Sequence, residues 1–139
     1  MLENAATKPS QNGCGGGDIF TGNVAPILNE IRHALQRLLD DGEATTIDLR
    51  GIPMGPGEEA HLETLLGTGE VTANINAMGL STVNETSLAG VWLVVHYNDN
   101  DEILGKFIEI TRFPTILESQ AEDMRSALEQ LPAILAEYS

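Results

Sequence analysis

The sequence contains a single cysteine, Cys14, and it contains no long apolar run. One cysteine cannot form a disulfide within the chain, and it cannot build a cysteine-cluster metal site. No stretch approaches the roughly 18 apolar residues that a transmembrane helix needs, and the N-terminus lacks the basic and apolar regions of a signal peptide. We therefore expect a protein that stays in the cytosol, where thiols are reduced.

Basic residues are also scarce. Seven lysines and arginines stand against 21 aspartates and glutamates, which gives a formal net charge of −14 at pH 7. Such a charge repels phosphate backbones and anionic membrane surfaces, so we expect neither a nucleic acid nor a membrane as partner. A negative surface also steers encounters with a basic protein surface, although acidity is common in proteins that have no such partner.

Residues 1–22 are rich in glycine and small polar residues and show no apolar periodicity. Ordering such a segment costs backbone entropy that no burial offsets. We therefore predict a flexible Gly-rich tail over residues 1–22. The remaining residues, 23–139, have the length of one hydrophobic core, and we predict a single α+β domain there.

Apolar spacing within residues 23–139 predicts both helices and strands. Asn23 is the expected N-cap of the first helix, and Gly42 follows its end. In order, the pattern predicts a helix over 24–39, a short strand over 44–49, a short helix over 58–66, strands near 71–76, 80–87, 89–97 and 103–112, and a helix after 119. The expected fold class is α+β, an antiparallel β-meander sheet packed against N- and C-terminal helices.

The final predicted helix carries its apolar residues on one face. Met124, Leu128, Leu131 and Leu135 recur at spacings of three and four residues, as in a helix that packs against a surface. Pro132 lies within the same segment and should kink or split the helix, because proline removes one backbone donor.

Residues with the chemistry of a catalytic or metal site are few and scattered. Cys14 lies among glycines, with no base nearby in sequence to activate its thiol. The three histidines, His33, His61 and His96, fall on different elements without the i, i+4 spacing of metal ligands on a helix. Adjacent carboxylates such as Glu58 and Glu59 point about 100° apart on a helix and indicate solvated faces. We predict no enzyme, no catalytic residue, no metal and no cofactor.

His96 leaves one alternative open. It lies beside Tyr97 on the predicted central strand. It is either a buried histidine whose ring nitrogens form hydrogen bonds within the protein or a residue that lines a pocket. The alternative function is a small metal- or ligand-binding domain that uses His96 and nearby carboxylates. The acidic run at residues 98–102 lacks the glycine of a calcium-binding loop, and it indicates a hairpin turn instead.

Three segments resemble, in order and spacing, the motifs of a known family. They are Leu65–Val71 (LLGTGEV), Glu85–Trp92 (ETSLAGVW) and Ile108–Pro114 (IEITRFP). This pattern resembles the HupH/HyaF hydrogenase expression/formation family, and the likeness covers residues 24–137, as a C-terminal HupH-type domain.

The resemblance implies a function and a class of partner. It implies a non-enzymatic, chaperone-like accessory role in the maturation of [NiFe] uptake hydrogenases. The implied partners are the iron–sulfur small subunit before assembly, or other hydrogenase maturation proteins. The family has no established catalytic residues, so the resemblance assigns none to this chain.

Four motif residues are the candidates for partner binding: Glu70, Glu85, Thr86 and Trp92. The two carboxylates have less obvious packing roles than the motif glycines. Trp92 is large enough to anchor the core, and if it is exposed it becomes a binding anchor, because aromatic residues are frequent interface hot spots. A sheet edge or an apolar patch near residues 86–92 would engage the partner. A homodimer formed through an uncovered strand is left open.

Overall fold

The protein is described by a computed structural model, which covers residues 22–138. The helices are α1 (Val24–Asp41), α2 (Glu58–Leu66) and α3 (Ala121–Ala136). The strands are β1 (Thr45–Asp48), β2 (Thr72–Ala77), β3 (Gly79–Glu85), β4 (Val91–Tyr97) and β5 (Ile103–Ile110). Short 3₁₀ turns span Leu49–Gly51 and Thr115–Leu117. Of the predicted tail over residues 1–22, only Gly22 lies within the described residues. None of the helices described in residues 22–138 is both long and apolar enough to cross a bilayer.

The five strands form one antiparallel sheet in the order β1-β5-β4-β3-β2. Strands β2 to β5 are a meander in which each strand pairs with the next along the chain. The chain enters at one edge through β1, and it starts the meander at the other edge after α2. The predicted α+β class, the antiparallel meander and the central position of β4 are confirmed.

Helix α1 forms because its apolar residues share one face, and the structure buries Ile27, Ile31, Ala34 and Leu38 on that face. The helix ends at Gly42, whose φ of 74° suits glycine and whose N–H donates to the Leu38 carbonyl at 3.0 Å. Asn23 lies at the N-cap, but its side chain makes no capping bond. The Asn23 amide donates to the Pro53 carbonyl instead, so it ties α1 to the loop before α2.

The main core lies between the sheet and the two helices α1 and α2. Its sheet residues come from alternate positions of β1, β4 and β5, as the period of two dictates. They are Ile47, Val91, Ile108 and Ile110. A smaller cluster lies on the opposite face, where Val83, Trp92 and Val94 pack with Leu117 of the second 3₁₀ turn.

Helix α3 forms where it is predicted, but no residue between Ala121 and Ala136 is buried. The predicted packing of this helix against the sheet is therefore not found within the chain. One face of the sheet is covered by α1 and α2, and Leu117, just before α3, packs on the cluster at the other face. The helix runs through Pro132 without being split, so of the two predicted effects of this proline the break does not occur.

Candidate functional site

The first two motifs of the resemblance lie against each other in the structure. The turn between α2 and β2 runs beside the connection from β3 to β4. The Gly69 N–H donates to the Glu85 carbonyl at 2.7 Å, and the Ser87 N–H donates to the Leu66 carbonyl at 2.8 Å. These bonds join residues that are 16 and 21 positions apart in the sequence, and they bring the two motifs together into one surface.

Glycine is required at Gly69 because another chain segment passes close to it. A Cβ atom there would lie 2.5 Å from the Thr86 carbonyl oxygen and 2.9 Å from Glu85 Oε1. A backbone carbonyl has little freedom to withdraw, so any side chain at this position would separate the two motifs.

Thr86 is buried and holds the loop that follows β3. Its hydroxyl donates to the Val91 carbonyl at 2.9 Å and accepts the Leu88 N–H at 3.2 Å. The hydroxyl thus satisfies the Leu88 N–H and adds a second bond to the Val91 carbonyl, which also accepts the Thr86 N–H at 3.0 Å. Thr86 supports the surface from below and does not face a partner directly.

Trp92 is also largely buried, with 5% of its surface exposed. Its indole Nε1 donates to the Thr111 carbonyl at 3.0 Å, which connects the second motif to the third. The ring packs with Val83 and Val94 and also lines a groove at the surface. Trp92 is therefore placed as a core residue that forms part of the wall of a surface site.

Glu85 and Glu70 lie closer to solvent. Glu85 is half-buried, and its Oε1 accepts the Glu70 N–H at 3.3 Å. The Glu70 side chain is exposed. Of the four candidate residues, these two carboxylates have the accessibility that a direct contact requires.

A groove of about 510 Å³ opens next to this surface. Its walls come from the C-terminal half of α1, the β3–β4 connection and the end of β5, and most of the lining is apolar. The lining residues are Leu35, Leu38, Leu39, Glu85, Ala89, Gly90, Trp92 and Arg112. A smaller polar pocket adjoins the groove through Glu85 and Ala89 and includes Gly69, Glu70 and Thr86.

Gly90 brings α1 close to the sheet at this groove. Its φ is 86°, and a Cβ there would lie 3.3 Å from Leu35 Cδ2. Leu39 projects at the rim with 73% of its surface exposed. Arg112 is the cation of the lining and Glu85 its anion, and the lining is otherwise mostly apolar.

Residues 21–138 match the family described as HupH hydrogenase expression protein, C-terminal conserved region. The chain belongs to this family. It is 32% identical over 116 residues to the hydrogenase expression/formation protein HupH of Rhizobium leguminosarum bv. viciae, a match that covers 84% of this chain and 41% of that protein. It is 28% identical over 114 residues to HoxQ of Azotobacter vinelandii, which carries the same description, covering 81% of this chain and 40% of that protein.

A solved structure, more similar in sequence to this chain than the two relatives above, confirms the fold. The hydrogenase expression protein HupH from Thiobacillus denitrificans superposes with a TM-score of 0.82 at 37% identity, covering 86% of this chain and 99% of that one. The curated relatives are longer, and this chain spans about two fifths of their length. It thus corresponds to the C-terminal region of the HupH family.

His96, the basis of the alternative function, is held by its neighbours in this HupH-family domain. Its Nδ1 lies 2.7 Å from Ser81 Oγ, and its ring meets Phe107 edge to face at 5.8 Å. Burial raises the pKa of the nearby Glu109 carboxyl, and the charge of His96 offsets part of this effect. Within residues 22–138, no three histidine, cysteine, aspartate or glutamate side chains are grouped as metal ligands. Cys14 lies outside the described residues.

Two charged residues have roles that the sequence does not predict. Glu58 is 1% exposed, so its predicted solvation is wrong. Its carboxylate accepts the N–H groups of Gly55 and Gly22, at 2.9 and 3.0 Å, and these bonds hold the start of α2. Lys106 is buried under α2 and pairs with Glu59 and Glu63.

The groove itself leaves one signal in the sequence. Leu38 and Leu39 are adjacent in α1, and adjacent residues of a helix point about 100° apart. In the structure Leu38 is 7% exposed and lies in the core, whereas Leu39 is 73% exposed at the rim of the groove.

Proposed function

We propose that this chain is a non-enzymatic accessory protein for the maturation of [NiFe] uptake hydrogenases, acting in the cytosol by binding the iron–sulfur small subunit before assembly. Its membership of the HupH family supports the hydrogenase role, because its relatives bear the description hydrogenase expression/formation protein. The observation that carries the binding role is the groove, since residues of the second motif, Glu85, Ala89, Gly90 and Trp92, line it.

The chemistry of the groove suits binding better than catalysis. Its lining offers leucines, an alanine, an indole wall and one charge of each sign, without a nucleophile paired to a base. Contiguous exposed apolar surface marks interaction sites in proteins. An apolar segment of a subunit that is not yet assembled fits such a groove, because the segment leaves water and Arg112 can pair with a carboxylate at its end.

The net charge of the protein supports the same role. A charge of −14 accelerates encounter with a partner that presents a basic surface. This attraction weakens as the salt concentration rises, because salt screens charges. In this account the acidic surface sets the rate of encounter, and the apolar groove sets the lifetime of the complex.

The test is co-purification of the small subunit with tagged protein from cells that express the hydrogenase. Leu39→Glu places a charge at the rim of the groove, where Leu39 is 73% exposed. Leu104→Glu is the matched control, because Leu104 lies outside the groove and is 65% exposed. Both side chains are exposed, so both variants should fold normally. Wild type and Leu104→Glu are expected to retain the small subunit, and Leu39→Glu is expected to lose most of it.

Two results would argue against the proposal. Equal retention by Leu39→Glu and wild type would exclude the groove as the binding surface. Absence of every hydrogenase component from the wild-type sample would exclude the assembly role itself.

A further inference from the structure

Helix α3 exposes apolar residues that the rest of the described chain does not cover. Leu128 and Leu135 are 68% and 64% exposed, and no residue between Ala121 and Ala136 is buried. Among residues 22–138, no other helix or strand exposes more than two large apolar side chains. A helix of 16 residues is marginal in water without packing, so this face needs a partner.

The apolar residues of α3 follow the seven-residue repeat of a two-helix coiled coil. They recur at alternating spacings of three and four residues, and no polar residue takes any of these positions. The series, which we call the α3 seam, is Ala121, Met124, Leu128, Leu131, Leu135 and, in the turn after the helix, Tyr138. Such spacing keeps one narrow line of side chains facing a second helix, whose own side chains interlock with it. The seam therefore specifies another helix as the covering element.

The carboxylates of α3 lie away from the seam. They fall at positions of the seven-residue repeat that point away from a partner helix. They are Glu122, Asp123, Glu129 and, directly after the helix, Glu137. Each copy has a net charge of −14, so two copies repel each other at any surface where their acidic residues meet. The seam itself carries no charge, and a second α3 can therefore meet it without bringing like charges face to face.

We propose that two copies of the chain dimerise through α3, with the two seams packed antiparallel about a two-fold axis. The register that keeps the seams in contact along their length places Leu128 beside Leu131 of the other copy. The same register places Ala121, the smallest side chain of the seam, beside Tyr138, the largest. The two-fold axis repeats each contact, so one self-complementary surface on each copy forms the whole interface.

The antiparallel direction follows from the position of α3 in the chain. The sheet and the other two helices all precede α3, so the acidic body of each copy is attached at the start of this helix. Antiparallel packing places the two bodies at opposite ends of the helix pair, about 24 Å apart along its axis. A parallel pair would hold two strongly negative bodies side by side. Antiparallel packing also sets the positive end of each helix dipole beside the negative end of the other.

The seam has enough exposed surface for a reversible dimer. Its five large residues are between 45% and 88% exposed, at Leu131 and Tyr138 respectively. Their exposed parts amount to about 600 Å² on each copy, so a pair that covers them buries roughly 1,200 Å², at the lower end of specific interfaces. An interface of this size forms and dissociates as the protein concentration changes.

The dimer uses no residue of the groove beside Trp92. It also forms from this chain alone, so its test does not depend on the proposed function. A monomeric protein could still bind the hydrogenase subunit, and a dimer could fail to do so. Where both hold, the dimer presents two grooves.

Sedimentation velocity of the full chain over a range of concentrations measures the dimer. Wild type should pass from monomer to dimer below about 0.5 mM, and added salt should favour the dimer by screening the repulsion between copies. Leu128→Glu places a carboxylate in the middle of the seam, and it should weaken the association by roughly tenfold or more. Gln130→Glu is the matched control, because it adds the same charge at a position that points away from the seam. The control should leave the dimer nearly intact.

Two sedimentation results would overturn the proposal. One is a wild-type protein that stays monomeric at every concentration and salt. The other is a Leu128→Glu protein that dimerises like wild type, which would indicate pairing through a different surface, such as the edge strand β2. Leu128 is 68% exposed, so Leu128→Glu should fold normally, and circular dichroism checks this.

Disulfide trapping tests the antiparallel register. In a chain that carries Cys14→Ser, Met124→Cys and Leu135→Cys are prepared separately, one of them with a tag that changes its mass. The proposed register places position 124 beside position 135 of the other copy, whereas two copies of position 124 lie about 16 Å apart, beyond the reach of a disulfide. A mild oxidant should therefore link the mixed pair and leave each variant alone largely unlinked. Linkage of each variant to itself, with little mixed product, would indicate parallel helices and overturn the proposed geometry.

Discussion

The indole of Trp92 donates a hydrogen bond to the carbonyl of Thr111 at 3.0 Å, directly beneath the groove. This bond fixes the end of β5, from which Arg112 projects, relative to the start of β4. Trp92 therefore positions two walls of the candidate site without projecting into solvent itself.

Replacing Trp92 should affect stability first. Trp92→Phe loses the bond and leaves the Thr111 carbonyl with one partner fewer, at a cost of about 1–2 kcal/mol in the free energy of unfolding. Trp92→Ala also creates a cavity and should cost about 3–5 kcal/mol. Urea unfolding measures both values. An alanine variant with an unchanged midpoint would show that the ring does not support the core.

Gly69 should tolerate no side chain. In Gly69→Ala the new methyl would meet the Thr86 carbonyl at 2.5 Å, so the two motifs must separate, with a loss of about 2–3 kcal/mol. Gly51→Ala is the matched control, because its nearest neighbour atom lies at an ordinary 3.6 Å and its φ is not positive. The control should be nearly neutral in the same unfolding experiment. Equal effects at the two positions would contradict the close approach.

Lys106 should stabilise the fold in a pH-dependent way. Burial lowers the pKa of its ammonium, but the hydrogen bonds and charges of Glu59 and Glu63 outweigh burial and raise the pKa above its ordinary value of 10.5. A pKa raised by folding means stability that is fully present below the ordinary value and is lost as the pH rises through the folded-state value. Lys106→Met should therefore lower the unfolding free energy at pH 7 by about 1–3 kcal/mol.

The check on Lys106 is the same comparison at alkaline pH. The difference between wild type and Lys106→Met should shrink once the pH exceeds 10.5. A difference that stays constant from neutral to alkaline pH would mean that packing of the lysine stem, and not its charge, is responsible.

The ionised Glu109 carboxylate, unlike the Lys106 ammonium, should destabilise the fold, in a way that also depends on pH. Burial raises the pKa of its carboxyl in the folded state, and the charge of His96 reduces this shift in part. Folding thus disfavours the ionised form, so Glu109→Gln should stabilise the protein at neutral pH. The gain should fade as the pH falls through the raised folded-state value, and it should vanish below the ordinary value of 4.5, where the carboxyl is protonated in both states. Urea midpoints along this pH range measure the effect, and a loss of stability at pH 7 would refute it.

Periodicity in the sequence predicts the elements whose burial follows from local pattern. The apolar stripe from Ile27 to Leu38 predicts α1 correctly, and the alternation of apolar and polar residues predicts the strand β2. Both predictions succeed because the helix and strand periods decide which residues face the core. The paired strands β4 and β5 follow from an apolar run that ends in a turn.

Burial of charge does not follow from local pattern. Glu58 and Lys106 are buried because distant segments bring them backbone donors and carboxylates, and those partners are set by the tertiary structure. The groove likewise depends on the approach of α1 to Gly90, which no single segment encodes. For α3, the apolar stripe predicts that one face is covered, but a pattern within one chain does not say which chain covers it.

The groove beside Trp92 is the surface proposed to bind the hydrogenase small subunit. A photo-crosslinking residue introduced at Leu39, in cells that express the hydrogenase, tests this contact directly, with the same residue at Leu104 as the control outside the groove. We expect a covalent adduct with the small subunit from position 39 and little or none from position 104. No adduct at position 39, or equal adducts at both positions, would contradict the account.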